Sequence, residues 1–103
     1  INFISTKTIM LGSVNPTAKA KTDLAGRLNI SEDEIKTVSV TFGSWADGSL
    51  GCPEPGQFYT MALVPGTIII LEAQGKQYQY NASSSGQIKR KDEISQQGFY
   101  PDS

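Results

Sequence analysis

The chain contains no histidine and a single cysteine, and neither sign of charge dominates it. The missing imidazole excludes more than any other feature. Histidine is the usual general base near neutral pH and the commonest metal ligand. Without it, Ser-His-Asp and Cys-His catalysis are closed, and so are the common zinc sites. One cysteine, Cys52, cannot form an internal disulfide. Lys and Arg number 9 against 10 Asp and Glu, a net charge of -1, so no basic stripe is available for nucleic acid. The one basic cluster, Lys89-Arg90-Lys91, reads as a solvated strand end. Long apolar runs are missing too: Ile68-Ile69-Ile70-Leu71 is strand-sized, so no segment here is a transmembrane helix. The chain opens on Ile1 rather than Met, and removal of a signal peptide is the expectation that follows.

What is present suits one domain. The 103 residues are 38% hydrophobic, enough for one modest core and too much for a disordered chain. Residues 1–16 read as an N-terminal arm or extra strand, closed by the breaker Gly12-Ser13-Val14-Asn15-Pro16. Residues 17–28 have helical spacing, with Leu24 and Leu28 on one face. Ser31 and Glu34 form a capping box flanked by Ile30 and Ile35, predicting a short helical turn that feeds a strand. That strand, 36–42, alternates Val38, Val40 and Phe42 against Thr37, Ser39 and Thr41. Further strands are predicted over 58–64, 67–73 and 76–81, with a short fifth over 87–90. Pro65-Gly66 and Gln74-Gly75 are the expected turns between them. Residues 92–103 read as a C-terminal tail in which Phe99-Tyr100 docks.

Short turns force antiparallel neighbours, and one amphipathic helix must cover a sheet face. The predicted architecture is therefore α+β: one N-terminal helix on an antiparallel meander of four to five strands, with residues 17–91 as the domain. Leu24 and Leu28 are expected to pack on Val38, Val40, Ile68, Ile70 and one of Tyr78 and Tyr80.

The unusual residues gather in the loop 44–57, which holds the sole Trp, the sole Cys and two of the five prolines. A loop this long is uncommon unless it has a purpose. Two readings stand side by side. In the first, Trp45 caps one end of the core, Leu50 lies beneath the loop, Asp47 closes an Asx-turn on Ser49, and Cys52 acts as a small hydrophobe. In the second, Trp45, Asp47, Ser49, Leu50, Cys52, Pro53 and Glu54 form a rigid recognition surface with Leu50 at its tip. Leu50→Asp would then abolish binding and leave the melting temperature nearly unchanged. Catalysis by Cys52 lacks a base, Asp47 and Glu54 lack the fixed separation of a glycosidase pair, and the acids are too few for calcium. No catalytic residue, metal ligand or cofactor is assigned. Asn29-Ile30-Ser31 and Asn81-Ala82-Ser83 match the glycosylation pattern incidentally.

Trp45, Asp47, Ser49-Leu50-Gly51-Cys52-Pro53 and Pro55-Gly56, with Tyr59, Pro65-Gly66, Ile69, Leu71, Gly75, Tyr78 and Tyr80, resemble an uncharacterised family of small exported bacterial domains. Its members are frequent in cyanobacteria and filamentous soil or mat bacteria. The resemblance spans residues 18–81. It implies a shared fold and an extracellular or periplasmic location, and no activity. Members often carry His where this chain has Asn81, and a second Cys that would suit a disulfide to the loop; here that Cys is missing, so Cys52 is free or pairs with another chain. The expected function is a non-enzymatic exported binding module, proteinase-inhibitor-like in its sharpest form, using the loop 44–57 on a protein partner. The alternative is a structural or accessory subunit of an extracellular or membrane-associated assembly, which meets protein partners or its own copies through termini and sheet edges.

Overall fold

The computed structural model describes residues 15–91 and 93–102. Most of the expected N-terminal arm lies outside the described residues. Helix α1 (Pro16–Leu28) starts where its cap dictates. Asn15 is extended, and its Oδ1 accepts from the amides of Thr17 and Ala18; Pro16 takes the first helical position, where no amide is needed. Asn29 ends the helix in the left-handed conformation, with its N–H on the carbonyl of Ala25. The capping box is present: Ser31 Oγ accepts from Asp33 N, and Glu34 Oε2 accepts from Ser31 N, around the 3-10 turn Glu32–Glu34.

Strands β1 (Lys36–Trp45), β2 (Val64–Ala73), β3 (Lys76–Ser83) and β4 (Ile88–Lys91) follow as an antiparallel meander. Strand β5 (Phe99–Pro101) returns to the far side of β1, so the sheet order is β4-β3-β2-β1-β5. The α+β class and the helix on a meander sheet are as the sequence predicts. The β2–β3 hairpin turns at Gln74-Gly75, both with positive φ (55° and 77°), a pattern that matches strand twist.

The central strands β2 and β3 are buried on both faces. Ile69, Leu71, Ala73, Tyr80 and Ala82 cluster with Ala20, Leu24, Ala25 and Ile35 on the helix side. Trp45, Leu50, Ile68, Ile70 and Phe99 form a second core on the opposite side. The parity expected for β2 is thus inverted: Ile69 and Leu71 meet the helix, and Ile68 and Ile70 do not. Val38 and Phe42 are exposed, because α1 lies over β2, β3 and β4 and leaves β1 uncovered. Of the core expected from the sequence, Leu24 and Tyr80 hold their places, and Leu28 packs partly buried against the same cluster.

The strand predicted over 58–64 is absent, and residues 46–63 connect β1 to β2 without a strand of their own. Pro65-Gly66 is not a turn either; both residues sit inside β2, opposite Ser44 and Gly43. Pro65 tolerates this because it lies near the strand's start. Gly66 is selected for space rather than for positive φ. A Cβ there would lie 2.5 Å from the Trp45 indole and 2.3 Å from the Ala82 carbonyl oxygen.

Candidate functional site

The connection 46–63 has an inner limb packed on the sheet and an outer limb in solvent. Trp45 anchors the inner limb. Its ring is fully buried over Gly66, stands 4.6 Å from the Phe99 ring centroid, and donates from Nε1 to the Ala82 carbonyl at 2.8 Å. The Asx-turn follows: Asp47 Oδ1 accepts from Ser49 N at 2.9 Å and from Ser49 Oγ at 2.6 Å. These hydrogen bonds from Ser49 hold the Asp47 carboxyl below its ordinary pKa. Leu50 and Gly51 then turn left-handed, with φ of 55° and 74°. This drops the Leu50 side chain into the second core, where it is 1% exposed.

Two side chains from the sheet hold that turn. Asn81 Nδ2 donates to the Leu50 carbonyl at 2.8 Å, and Lys91 Nζ donates to the Gly51 carbonyl at 2.7 Å. Gln79 is equally buried. It donates to Asn81 Oδ1 and the Ser95 carbonyl, each at 2.7 Å, and accepts from Ser95 N at 2.8 Å. The Gln79–Asn81 pair thereby fastens both the inner limb and the segment leading to β5. Sequence reasoning missed these amides, treating them as the outer face of a strand whose tyrosines point inward. The available signal was that the outward positions carry neutral amides, which accept burial once paired. Asn81 is therefore no glycosylation acceptor in the folded chain.

The outer limb behaves differently. Gly48 N donates to the Thr60 carbonyl at 2.9 Å, tying the limb to its base. Glu54 N donates to Tyr59 Oη at 3.0 Å, and Lys89 Nζ lies 5.1 Å from the Tyr59 ring centroid. Beyond these ties, Phe58 is 99% exposed, Met61 88% and Leu63 65%. A depression of about 340 Å³ runs beside Phe58, between Tyr59, Val64 and the Ser83–Ser85 turn.

Of the predicted site residues, Trp45, Ser49 and Leu50 are buried, Asp47 and Cys52 are half-buried, and Pro53 and Glu54 are exposed. Leu50 is thus not at a tip. Chemically the loop offers little. Asp47 is committed to Ser49, and Cys52 Sγ has the Asn81 amide 3.7 Å away. Among the described residues no group of three or more His, Cys, Asp or Glu side chains could hold a metal ion.

The sequence profile of one family, DUF8738, a domain of unknown function, matches residues 17–90. The chain belongs to the DUF8738 family. The matched span runs from the first turn of α1 to the third residue of β4. It includes the whole 46–63 connection and the Gln79–Asn81 pair, whereas Phe99, which completes the second core, lies outside it. No curated protein and no solved structure matches this DUF8738 chain.

Proposed function

We propose that the domain is a non-enzymatic binding module that presents Phe58, Met61 and Leu63 to an apolar recess on a partner protein. The observation that carries this reading is the exposure of three large apolar side chains within six residues of a loop fixed at its base. Solvent-facing apolar clusters of this kind mark interaction sites. The missing histidine and the committed Asp47 argue against catalysis. Export by a bacterium, the setting that the family resemblance implies, belongs to the same reading.

The proteinase-inhibitor form is set aside, because it needs an extended, solvent-facing Leu50. The contact instead shifts from the inner to the outer limb. The second reading, a subunit meeting its neighbours through sheet edges, is favoured by one observation: among the described residues, none pairs with the outer margin of β1 from Lys36 to Thr41.

The test uses the chain and its Phe58→Ser/Met61→Ser variant as parallel baits on the native extracellular fraction. The partner that the wild type retains should be lost by the variant, whose melting temperature is unchanged. Each anchor is worth about 1–2 kcal/mol, or roughly tenfold in affinity. Equal retention of the same partner by both baits would overturn the assignment.

A further inference from the structure

The basic triplet Lys89-Arg90-Lys91 is expected from the sequence to be a solvated strand end, yet in the fold its two lysines are half-buried. Directly opposed residues of an antiparallel pair share a face. Lys89 lies opposite Asn81 and Lys91 opposite Gln79, so both lysines stand on the loop side of the sheet; Arg90 lies opposite Tyr80, on the helix side. The two lysines divide the 46–63 connection between them. Lys91 Nζ fastens the inner limb through the Gly51 carbonyl. Lys89 Nζ stands over the Tyr59 ring, 5.1 Å from its centroid, within cation–π range.

Tyr59 is the residue through which the outer limb is held. Between Pro53 and Leu63 it alone is half-buried, and every other residue is exposed. The limb therefore has little apolar packing to fix its shape, and its ties converge on one place. Tyr59 Oη accepts from Glu54 N at 3.0 Å, its ring lies beneath Lys89, and the next residue, Thr60, accepts from Gly48 N at 2.9 Å. Phe58, 99% exposed, is set by the backbone that it shares with Tyr59. The Lys89 ammonium acts on the inner limb as well. Hydrogen bonds from Ser49 chiefly, and the charge of Lys89 in addition, hold the Asp47 carboxyl below its ordinary pKa against desolvation.

We propose that Lys89 is a positioning residue, whose ammonium, set over the Tyr59 ring from β4, holds the outer limb in the shape that presents Phe58 and Met61. Its role in binding rests on the reading that this limb meets a partner; the hold itself does not. A limb fixed before contact loses less freedom on binding, so a charge outside the presented surface sets part of its affinity.

Amide hydrogen exchange of the full chain tests the hold with no partner present. Lys89→Met keeps an unbranched apolar stem and removes the charge. The Glu54 and Gly48 amides should then exchange about two- to fivefold faster, the loss expected of an exposed cation–π contact. The Ile30 amide, which is bonded to the Ala25 carbonyl at the end of α1, should be unchanged. Lys89→Arg, which keeps a cation for the ring, should exchange like the wild type. In a Tyr59→Leu background Lys89→Met should add nothing, because the two groups act as one contact. Unchanged exchange in Lys89→Met, no rescue by Lys89→Arg, or a further rise on top of Tyr59→Leu would overturn the proposal. The binding role is read separately. Toward a partner that Phe58→Ser/Met61→Ser loses, Lys89→Met should bind about two- to fivefold more weakly and Lys89→Arg as the wild type does. Undiminished affinity of Lys89→Met for that partner would overturn the positioning role. A partner kept by Phe58→Ser/Met61→Ser would remove the surface reading and the binding role with it, and the exchange result would still decide the hold.

Discussion

Replacing Leu50 with Ala separates the packed limb of the loop from the presented one. Leu50 is 1% exposed and clusters with Trp45, Ile68, Ile70 and Phe99. Such truncations cost 2–5 kcal/mol, depending on how far the site can collapse, so about 3 kcal/mol is a fair middle value. Collapse is hindered here, because the carbonyls of Leu50 and Gly51 are held by Asn81 and Lys91. In a domain of this size about 3 kcal/mol lowers Tm by roughly 12–24 °C. A second variant tests the backbone. At φ 55° Leu50 sits where an L-residue is strained by about 1 kcal/mol and glycine is not. Leu50→Gly should therefore melt no lower than Leu50→Ala, although it removes one carbon more. Thermal and urea melts followed by the fluorescence of Trp45, the sole tryptophan, report on the cluster itself. A Tm shift below about 3 °C for Leu50→Ala would refute the reasoning. Leu50→Asp, which a solvent-facing tip would tolerate, should be the most damaging of the three, because it buries an unpaired charge.

Three further outcomes follow from the packing and hydrogen bonding of the fold. Gly66→Ala should cost about 3 kcal/mol or more, because its Cβ would collide with the Trp45 ring and the Ala82 carbonyl. Gly26→Ala, on an exposed helical position with nothing within 4 Å of the new Cβ, should stabilise by about 0.5–1 kcal/mol; paired urea melts check both. Tyr80→Phe removes the 2.6 Å hydrogen bond from Tyr80 Oη to Asp23 Oδ2. Partial burial works to raise the Asp23 pKa, but hydrogen bonds from Tyr80 and Arg27 outweigh it and hold the carboxyl below 3.8. The pair's contribution is therefore present above that value and lost as pH falls through the lowered pKa. Tyr80→Phe should cost about 1 kcal/mol at neutral pH, screening included, and less near pH 2.5; an equal cost at both pH values would contradict the linkage.

The elements legible in the sequence are those whose signals are local. The breaker that ends at Pro16 and the Leu24/Leu28 spacing mark α1, Ser31 and Glu34 mark the 3-10 turn, and Gln74-Gly75 marks the hairpin. Parity in β2 was not legible, because Ile68-Ile69-Ile70-Leu71 is apolar on both faces and carries no period of two. Residues 58–64 mimic a strand in composition, yet Phe58 and Met61 face solvent and, among the described residues, no strand pairs with them. Pro65-Gly66 looked like a turn because composition does not tell a glycine chosen for φ from one chosen for the ring above it. In the candidate site, the Trp45 anchor and the Asp47–Ser49 turn were readable as local chemistry. Burial of Leu50 was one of two open readings. The Gln79–Asn81 fastening was not readable, because its partners at Ser95 and Leu50 lie 16 and 31 residues away.

The central claim is that the outer limb of the 46–63 connection meets the partner, and site-specific photo-cross-linking tests it most directly. A benzophenone side chain at Phe58 is compared with the same group at Tyr100, an exposed aromatic on β5. The account predicts a covalent adduct with the retained partner protein from position 58 and none from position 100. An adduct from position 100 alone, or equal yields from both, would contradict it.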